Sequence, residues 1–117
     1  MIKVIASDMD GTLLGDDHRV APETLAAVRE ACDAGIRFMI NTGRNFPGAM
    51  AELKDTDLVC DYIVSSGAEV RNPRQEVVMT QPMSMELCRE VYARIREFPI
   101  SMVVCTDGAD YRIGTLE

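Results

Sequence analysis

The 117-residue chain contains no tryptophan, three tyrosines and three phenylalanines. Lysine is scarce: Lys3 and Lys54 are the only two. Against 19 acidic residues stand 12 Lys and Arg, giving a formal net charge of -7. So acidic a chain argues against nucleic acid or an anionic membrane as partner. No apolar run reaches the length of a membrane-spanning helix. The N-terminus lacks the basic-then-apolar pattern of a secretory signal, so the expectation is a soluble, cytoplasmic protein. None of the four cysteines, at 32, 60, 88 and 105, forms a C-x-x-C pair, and no flanking histidines complete a zinc pattern. Cys32, Cys88 and Cys105 lie in apolar patterns and read as buried, reduced thiols. The length suits one modest domain and not two complete ones.

The most informative segment present is Ser7-Asp8-Met9-Asp10-Gly11-Thr12-Leu13-Leu14, directly behind the apolar run Ile2 to Ala6. Two carboxylates at the end of a buried strand must be paired, metal-bound or hydrated. Residues i and i+2 of an extended segment point the same way, so Asp8 and Asp10 are expected to aim at one spot. In open α/β sheets, ligands bind at that edge. Gly11 lets the chain turn sharply there.

Residues 2–7 read as a buried strand, and 11–20 as a polar, turn-rich segment. Pro22 suits a first helical turn, and Leu25, Val28 and Cys32 have helical spacing up to Gly35. Ile36 to Ile40 reads as a second strand ending in Asn41-Thr42-Gly43-Arg44. A second helix follows over about 47–54, then a third strand from Tyr62 to Ser65. Strand–helix–strand–helix–strand is the pattern of a parallel α/β sheet with right-handed crossovers. Beyond it, Ala68 to Val70 and Val77 to Thr80 flank a turn at Asn72-Pro73-Arg74-Gln75. Gln81-Pro82 reads as a boundary. Ser84 is a helix N-cap, with Leu87, Val91 and Ile95 on one face as far as about 97. Ile100 to Cys105 and Tyr111 to Ile113 are strands around a turn at Thr106-Asp107-Gly108-Ala109. Met83, Met85, Met102 and the other methionines read as core filler. The expected domains are therefore 1–81 and 82–117.

A carboxylate can act as a nucleophile and form an aspartyl-phosphate. A second acid can protonate the leaving oxygen and later activate water. Asp8 and Asp10 suit those roles in that order. Mg²⁺ bridging carboxylate and phosphate would offset the charge of so acidic a chain. The second strand adds the Thr42 hydroxyl and main-chain N–H groups from Thr42 to Arg44 at a strand-to-helix turn, a geometry that holds phosphate. An EF-hand is excluded, because Thr12 and Arg19 stand where it needs acidic ligands. A receiver domain is excluded too: it needs a phospho-accepting aspartate after the third strand, and Ser65-Ser66-Gly67 stands there. His18, Asp16 and Asp17 read as solvated.

With Asn41-Thr42-Gly43-Arg44 on the next strand, the motif Asp8-x-Asp10-Gly11-Thr12-Leu13 resembles the haloacid dehalogenase (HAD) superfamily. Within it the chain is most similar to the Cof-type, class IIB hydrolases, which carry an α/β cap after the third strand. Ser65-Ser66-Gly67-Ala68 resembles the Asn-Gly-Ala segment before that cap, with Ser replacing Asn. The resemblance implies a Rossmann-like core, here its first three parallel strands, and the beginning of the cap. It implies Asp8 as nucleophile and Mg²⁺ ligand, and Asp10 as general acid/base with its carbonyl on the metal. It further implies phosphoryl contacts from the Met9 amide, Thr42 and Gly43, and a mobile flap over 11–20; Arg44 reads equally as a contact to the substrate phosphate or as a surface ion pair. The implied substrate is a small phosphorylated metabolite such as a sugar phosphate. A phosphomannomutase-like phosphotransferase and a non-catalytic remnant stay open.

The same pattern calls for a later lysine and a Gly-Asp-type acidic motif. Lys3 starts the first strand at the end away from Asp8, and Lys54 ends the second helix. Gly15-Asp16-Asp17 lies in the flap, and Asp107-Gly108-Ala109-Asp110 reads as a turn. The expectation is an N-terminal portion of a longer phosphatase, or a truncated product, inactive alone and prone to self-association through an exposed first strand.

Overall fold

The computed structural model describes residues 1–106 and 109–114. The expected turn residues Asp107 and Gly108 lie outside the described residues. Contacts divide the chain into two compact units, Met1–Thr80 and Gln81–Glu117.

The first unit is a five-stranded sheet in the order β1-β2-β3-β4-β5. Its strands are β1 (Val4–Ser7), β2 (Arg37–Asn41), β3 (Asp61–Val64), β4 (Glu69–Arg71) and β5 (Val77–Thr80). β1 pairs β2 in parallel, with Ser7 opposite Ile40, and β2 pairs β3 in parallel, with Asn41 opposite Ile63. Helices α1 (Pro22–Asp33) and α2 (Phe46–Leu53) make the two crossovers. The antiparallel β4–β5 hairpin then extends the sheet beyond β3. The α/β class with a parallel core is the one expected. Local chemistry explains the boundaries. Each crossover helix has proline in its first turn, and the Asn45 Oδ1 caps α2 by accepting the Gly48 N–H at 2.8 Å. The chain leaves α1 through Gly35 at φ +84°, a conformation that favours glycine.

The core of this unit is an apolar cluster that includes Met9, Leu13, Leu14, Val28, Phe38, Ile40, Leu53, Tyr62 and Val64. Phe46 meets Tyr62 edge-on at 5.4 Å, and the Arg71 guanidinium stacks 4.1 Å from the Phe46 ring, tying α2 to β3 and β4. One charge is buried at the sheet's lower end. Asp61 is paired bidentately by Arg37 across β2 and β3, at 2.5 and 2.6 Å.

β1 is not the buried strand that its apolar run suggests by itself, but the exposed first strand also expected above. It is an edge strand, and Val4 and Ile5 are 46% and 37% exposed. Its apolar residues lack a covering layer, because α1 and α2 cover only part of the sheet.

The second unit holds α3 (Met85–Ile95) and the antiparallel hairpin of β6 (Met102–Cys105) and β7 (Asp110–Ile113). Ser84 caps α3 as expected, its Oγ accepting the Leu87 N–H at 3.1 Å. Two readings of the sequence fail here. Met83 and Met85 are exposed and are not core filler. Cys105 is exposed and Cys32 and Cys88 are half-buried; only Cys60 is fully buried. The apolar periodicity of the segment was read correctly as a helix face, but so small a unit has too little interior to bury it.

Candidate active site

The site forms where the carboxyl ends of β1 and β2 lie side by side. Parallel pairing of Ser7 with Ile40 brings the segments that follow, Asp8–Gly11 and Asn41–Arg44, to the same edge. Alternation does the rest. Met9 points into the core and is fully buried, while Asp8 and Asp10 on either side are exposed. After Asp10 the chain reverses through Gly11 at φ +74°. The reversal is fastened by two amides on one acceptor: Thr12 and Leu14 N–H donate to the Met9 carbonyl at 3.3 and 2.8 Å. Leu13 and Leu14 re-enter the core, so the motif is anchored on both sides of its carboxylates.

The neighbouring loop is braced as tightly. Thr42 is buried, and its Oγ1 accepts the Arg44 N–H at 3.2 Å. The loop after β3 clasps it from the far side: Ser65 N–H donates to the Arg44 carbonyl at 2.7 Å, and Ser66 N–H to the Thr42 carbonyl at 3.1 Å. Ser65 and Ser66 both adopt positive φ, +50° and +56°, to make those bonds. Consecutive left-handed non-glycine residues are strained, and such strain concentrates at functional sites. A Cβ placed on Gly43 would lie 3.4 Å from the Ser66 Oγ, so three loops converge on this edge.

Arg44 joins the two motifs. Its Nε and a terminal nitrogen donate to the two oxygens of Asp10 at 2.8 and 2.7 Å. The other terminal nitrogen donates to the Glu52 Oε1 on α2 at 2.9 Å. Hydrogen bonding from Arg44 holds the Asp10 carboxyl below the usual carboxylate range; burial opposes this, and the charges of Arg44 and His18 add to it. The same pairing raises the Arg44 guanidinium above its ordinary value. His18 Nδ1 stands 4.0 Å from Asp10, so this residue of the 11–20 segment faces the site, a position its polar surroundings in the sequence did not reveal.

The structure thus gathers Asp8, Asp10, Thr42, Gly43 and Arg44 at one edge. Met9 is there as the anchor beneath it. Glu52 joins the site unforeseen. Its signal was available: it stands seven residues after Asn45, the cap of α2, and so lies two turns along that helix.

For a divalent metal, the donors present are the exposed Asp8 carboxylate and the Asp10 main-chain carbonyl. Mg²⁺ binds through one or two carboxylates and fills its other positions with water and substrate phosphate, so these donors fit a partial site. Among the described residues no cluster of three or more His, Cys, Asp or Glu could hold a metal. Among them also, no helix is long and apolar enough to cross a membrane.

The chain is similar to known proteins in sequence and in fold. The chain is 32% identical over 91 residues to an HMP-PP phosphatase of Serratia proteamaculans (strain 568), covering 78% of this chain and 33% of that one. It is 39% identical over 69 residues to 5-amino-6-(5-phospho-D-ribitylamino)uracil phosphatase YcsE of Bacillus subtilis (strain 168), covering 59% and 28%. The chain therefore spans about a third of the length of these curated relatives. Among solved structures, a haloacid dehalogenase-like hydrolase from B. subtilis superimposes with a TM-score of 0.89 at 26% identity, over 94% of this chain and 39% of that one. The sequence profile of the haloacid dehalogenase-like hydrolases matches residues 5–115. With its paired aspartates at the end of β1 and its Thr-Gly-Arg loop at the end of β2, the chain belongs to that family.

Proposed function

We propose that the protein carrying this chain is a phosphomonoester hydrolase that works through an aspartyl-phosphate on Asp8. The observation that carries the reading is the pair Asp8 and Asp10, held outward on either side of buried Met9 at the carboxyl edge of a parallel sheet. Both curated relatives are named phosphatases, and one is named for a phosphorylated ribitylaminouracil. A small phosphorylated metabolite is therefore the proposed substrate, in a cytoplasmic setting.

In the first step an Asp8 oxygen attacks phosphorus, and the bond from phosphorus to the leaving oxygen breaks. Asp10 gives its proton to that oxygen, releasing an alcohol. In the second step water attacks the phosphorus of the aspartyl-phosphate while Asp10 takes back a proton. Inorganic phosphate leaves and Asp8 is restored. The buried Thr42 and the exposed residue Gly43 lie on the neighbouring strand-to-helix turn, and in this reading the Thr42 hydroxyl and the Gly43 amide would hold phosphoryl oxygens. The Asp8 carboxylate and the Asp10 carbonyl would hold Mg²⁺. Bound there, Mg²⁺ supplies charge neutralisation between nucleophile and phosphate. The second unit, in this reading, is the opening of a cap over the site.

The test is turnover of p-nitrophenyl phosphate with Mg²⁺ by the natural full-length protein and by Asp8→Asn. The substitution is expected to abolish turnover, since the nucleophile and acid act as a unit. An Asp8→Asn protein with near-normal turnover would refute the assignment. Calorimetric titration of Mg²⁺ gives a separate readout, with weaker binding expected in Asp8→Asn.

A further inference from the structure

The sequence leaves Arg44 open between the substrate phosphate and an ion pair, and its side chain is committed to carboxylates. Three of its N–H groups bind carboxylate oxygens of Asp10 and Glu52, and the Gly48 carbonyl lies 3.4 Å from the same nitrogen that reaches Glu52. Two carboxylates already more than balance its charge, so it has little attraction to spare for a phosphate dianion.

Asp10 has the opposite need. It sits at the start of a glycine turn with its side chain 47% exposed, and an unrestrained carboxylate there would sample several rotamers. A general acid must reach the leaving oxygen within about 2.6–3.2 Å. A misplacement of about 1 Å costs about 10²-fold in rate. The bidentate fork fixes both the plane and the position of the carboxylate, while each oxygen keeps another lone pair for a proton; the same fork lowers the carboxyl's proton affinity, so what it contributes to Asp10 is placement, against its own effect on the acid form. The fork is itself rigidly mounted. Its main chain is bonded to Thr42 Oγ1 and Ser65 N–H, and its tip is bonded to Glu52 on α2.

We infer that Arg44, braced by Glu52, is the positioning residue for Asp10 in proton transfer to the leaving group, and is not a ligand of the phosphate. The inference rests on the phosphatase reading above. It also places α2 in the catalytic apparatus, as the strut that carries Glu52.

Leaving-group chemistry provides the test. The natural full-length protein is assayed with p-nitrophenyl phosphate, whose leaving anion is stable without a proton, and with glycerol phosphate, whose leaving alkoxide needs one. Wild type and Asp8→Asn first establish Asp8-dependent turnover, and Asp10→Asn gives the signature of a missing acid. Arg44→Gln is expected to lose about 10²-fold in kcat/KM on glycerol phosphate and less than about tenfold on the aryl ester. Its Ki for inorganic phosphate is expected to stay within about twofold of wild type. Arg44→Lys should fail to restore the alkyl activity, because an ammonium cannot reproduce the fork. Glu52→Gln should show the same selectivity with a smaller loss.

A Ki raised tenfold or more, with equal losses on both esters, would make Arg44 a phosphate ligand and overturn the inference. Equal losses on both esters, with unchanged Ki and a matching fall in the urea midpoint, would make its role merely structural and overturn it as well. Absence of Asp8-dependent turnover in wild type would instead refute the phosphatase reading, and this role with it.

Discussion

Met9 is the residue on which the geometry of the two aspartates depends, and Met9→Ala is the substitution that exposes this. The residue is fully buried among Leu13, Leu14, Ile40 and Val64 in the core cluster. The change removes the γ-methylene, the sulfur and the terminal methyl. At about 0.8 kcal/mol for each methylene-sized group, the lost burial amounts to about 2 kcal/mol. A residual cavity of about 40 Å³, at about 24 cal/mol per Å³, adds about 1 kcal/mol. The sum, about 3 kcal/mol, lies within the range usual for such truncations. With no tryptophan in the chain, far-UV circular dichroism is the suitable probe of urea unfolding. A urea slope of about 1.5 kcal/mol/M converts the loss into a midpoint shift of about 2 M. Met9→Leu keeps the volume and should lose less than about 1.5 kcal/mol. The buried Met9 side chain seats the main chain whose carbonyl closes the turn, so in the full-length protein the proposed phosphatase activity is expected to fall in Met9→Ala even where the protein remains folded. A loss below about 1 kcal/mol with unchanged activity would refute the view that Met9 anchors the motif.

Two further predictions concern the thiols and the chain by itself. Cys60 is buried beside Tyr62, and burial pushes its thiol up to about 12, so at neutral pH it should resist iodoacetamide until the protein unfolds. Cys105, the exposed thiol, should be alkylated first; mass spectrometry of partly labelled protein checks the order, and early modification of Cys60 would contradict it. Residues 1–117 alone are expected to show no Asp8-dependent turnover with Mg²⁺. Lys3 precedes β1 at the end away from the aspartates, Lys54 caps the far end of α2, and Arg44 is held by two carboxylates, so the charge of nucleophile and phosphate would be poorly offset. Turnover comparable to a complete enzyme, lost in Asp8→Asn, would overturn that expectation.

The sequence by itself determined the order of elements and the chemistry at the edge. Apolar strands, prolines in first helical turns and the cap at Ser84 act within a few residues, so they are legible without the fold. So is the alternation that turns Asp8 and Asp10 outward about Met9, because the period of a strand is a local property. Thr42, Gly43 and Arg44 were legible as a strand-to-helix turn for the same reason. Burial was not. The Ile2 to Ala6 run by itself reads as interior, and only the family pattern pointed to the exposed edge that β1 forms; Met83, Met85 and Cys105 read as interior and are exposed. Apolar character states only that a side chain favours burial; whether a covering layer is present depends on elements far away in sequence. The partner of Arg44 was hidden on the same ground. A guanidinium at a phosphate-type turn reads equally as a phosphate ligand or half of an ion pair, and only the pairing of β1 with β2 sets Asp10, 34 positions away, at 2.7 Å from it. Residue type and spacing set what each group can do, and tertiary contact decided which partner it serves.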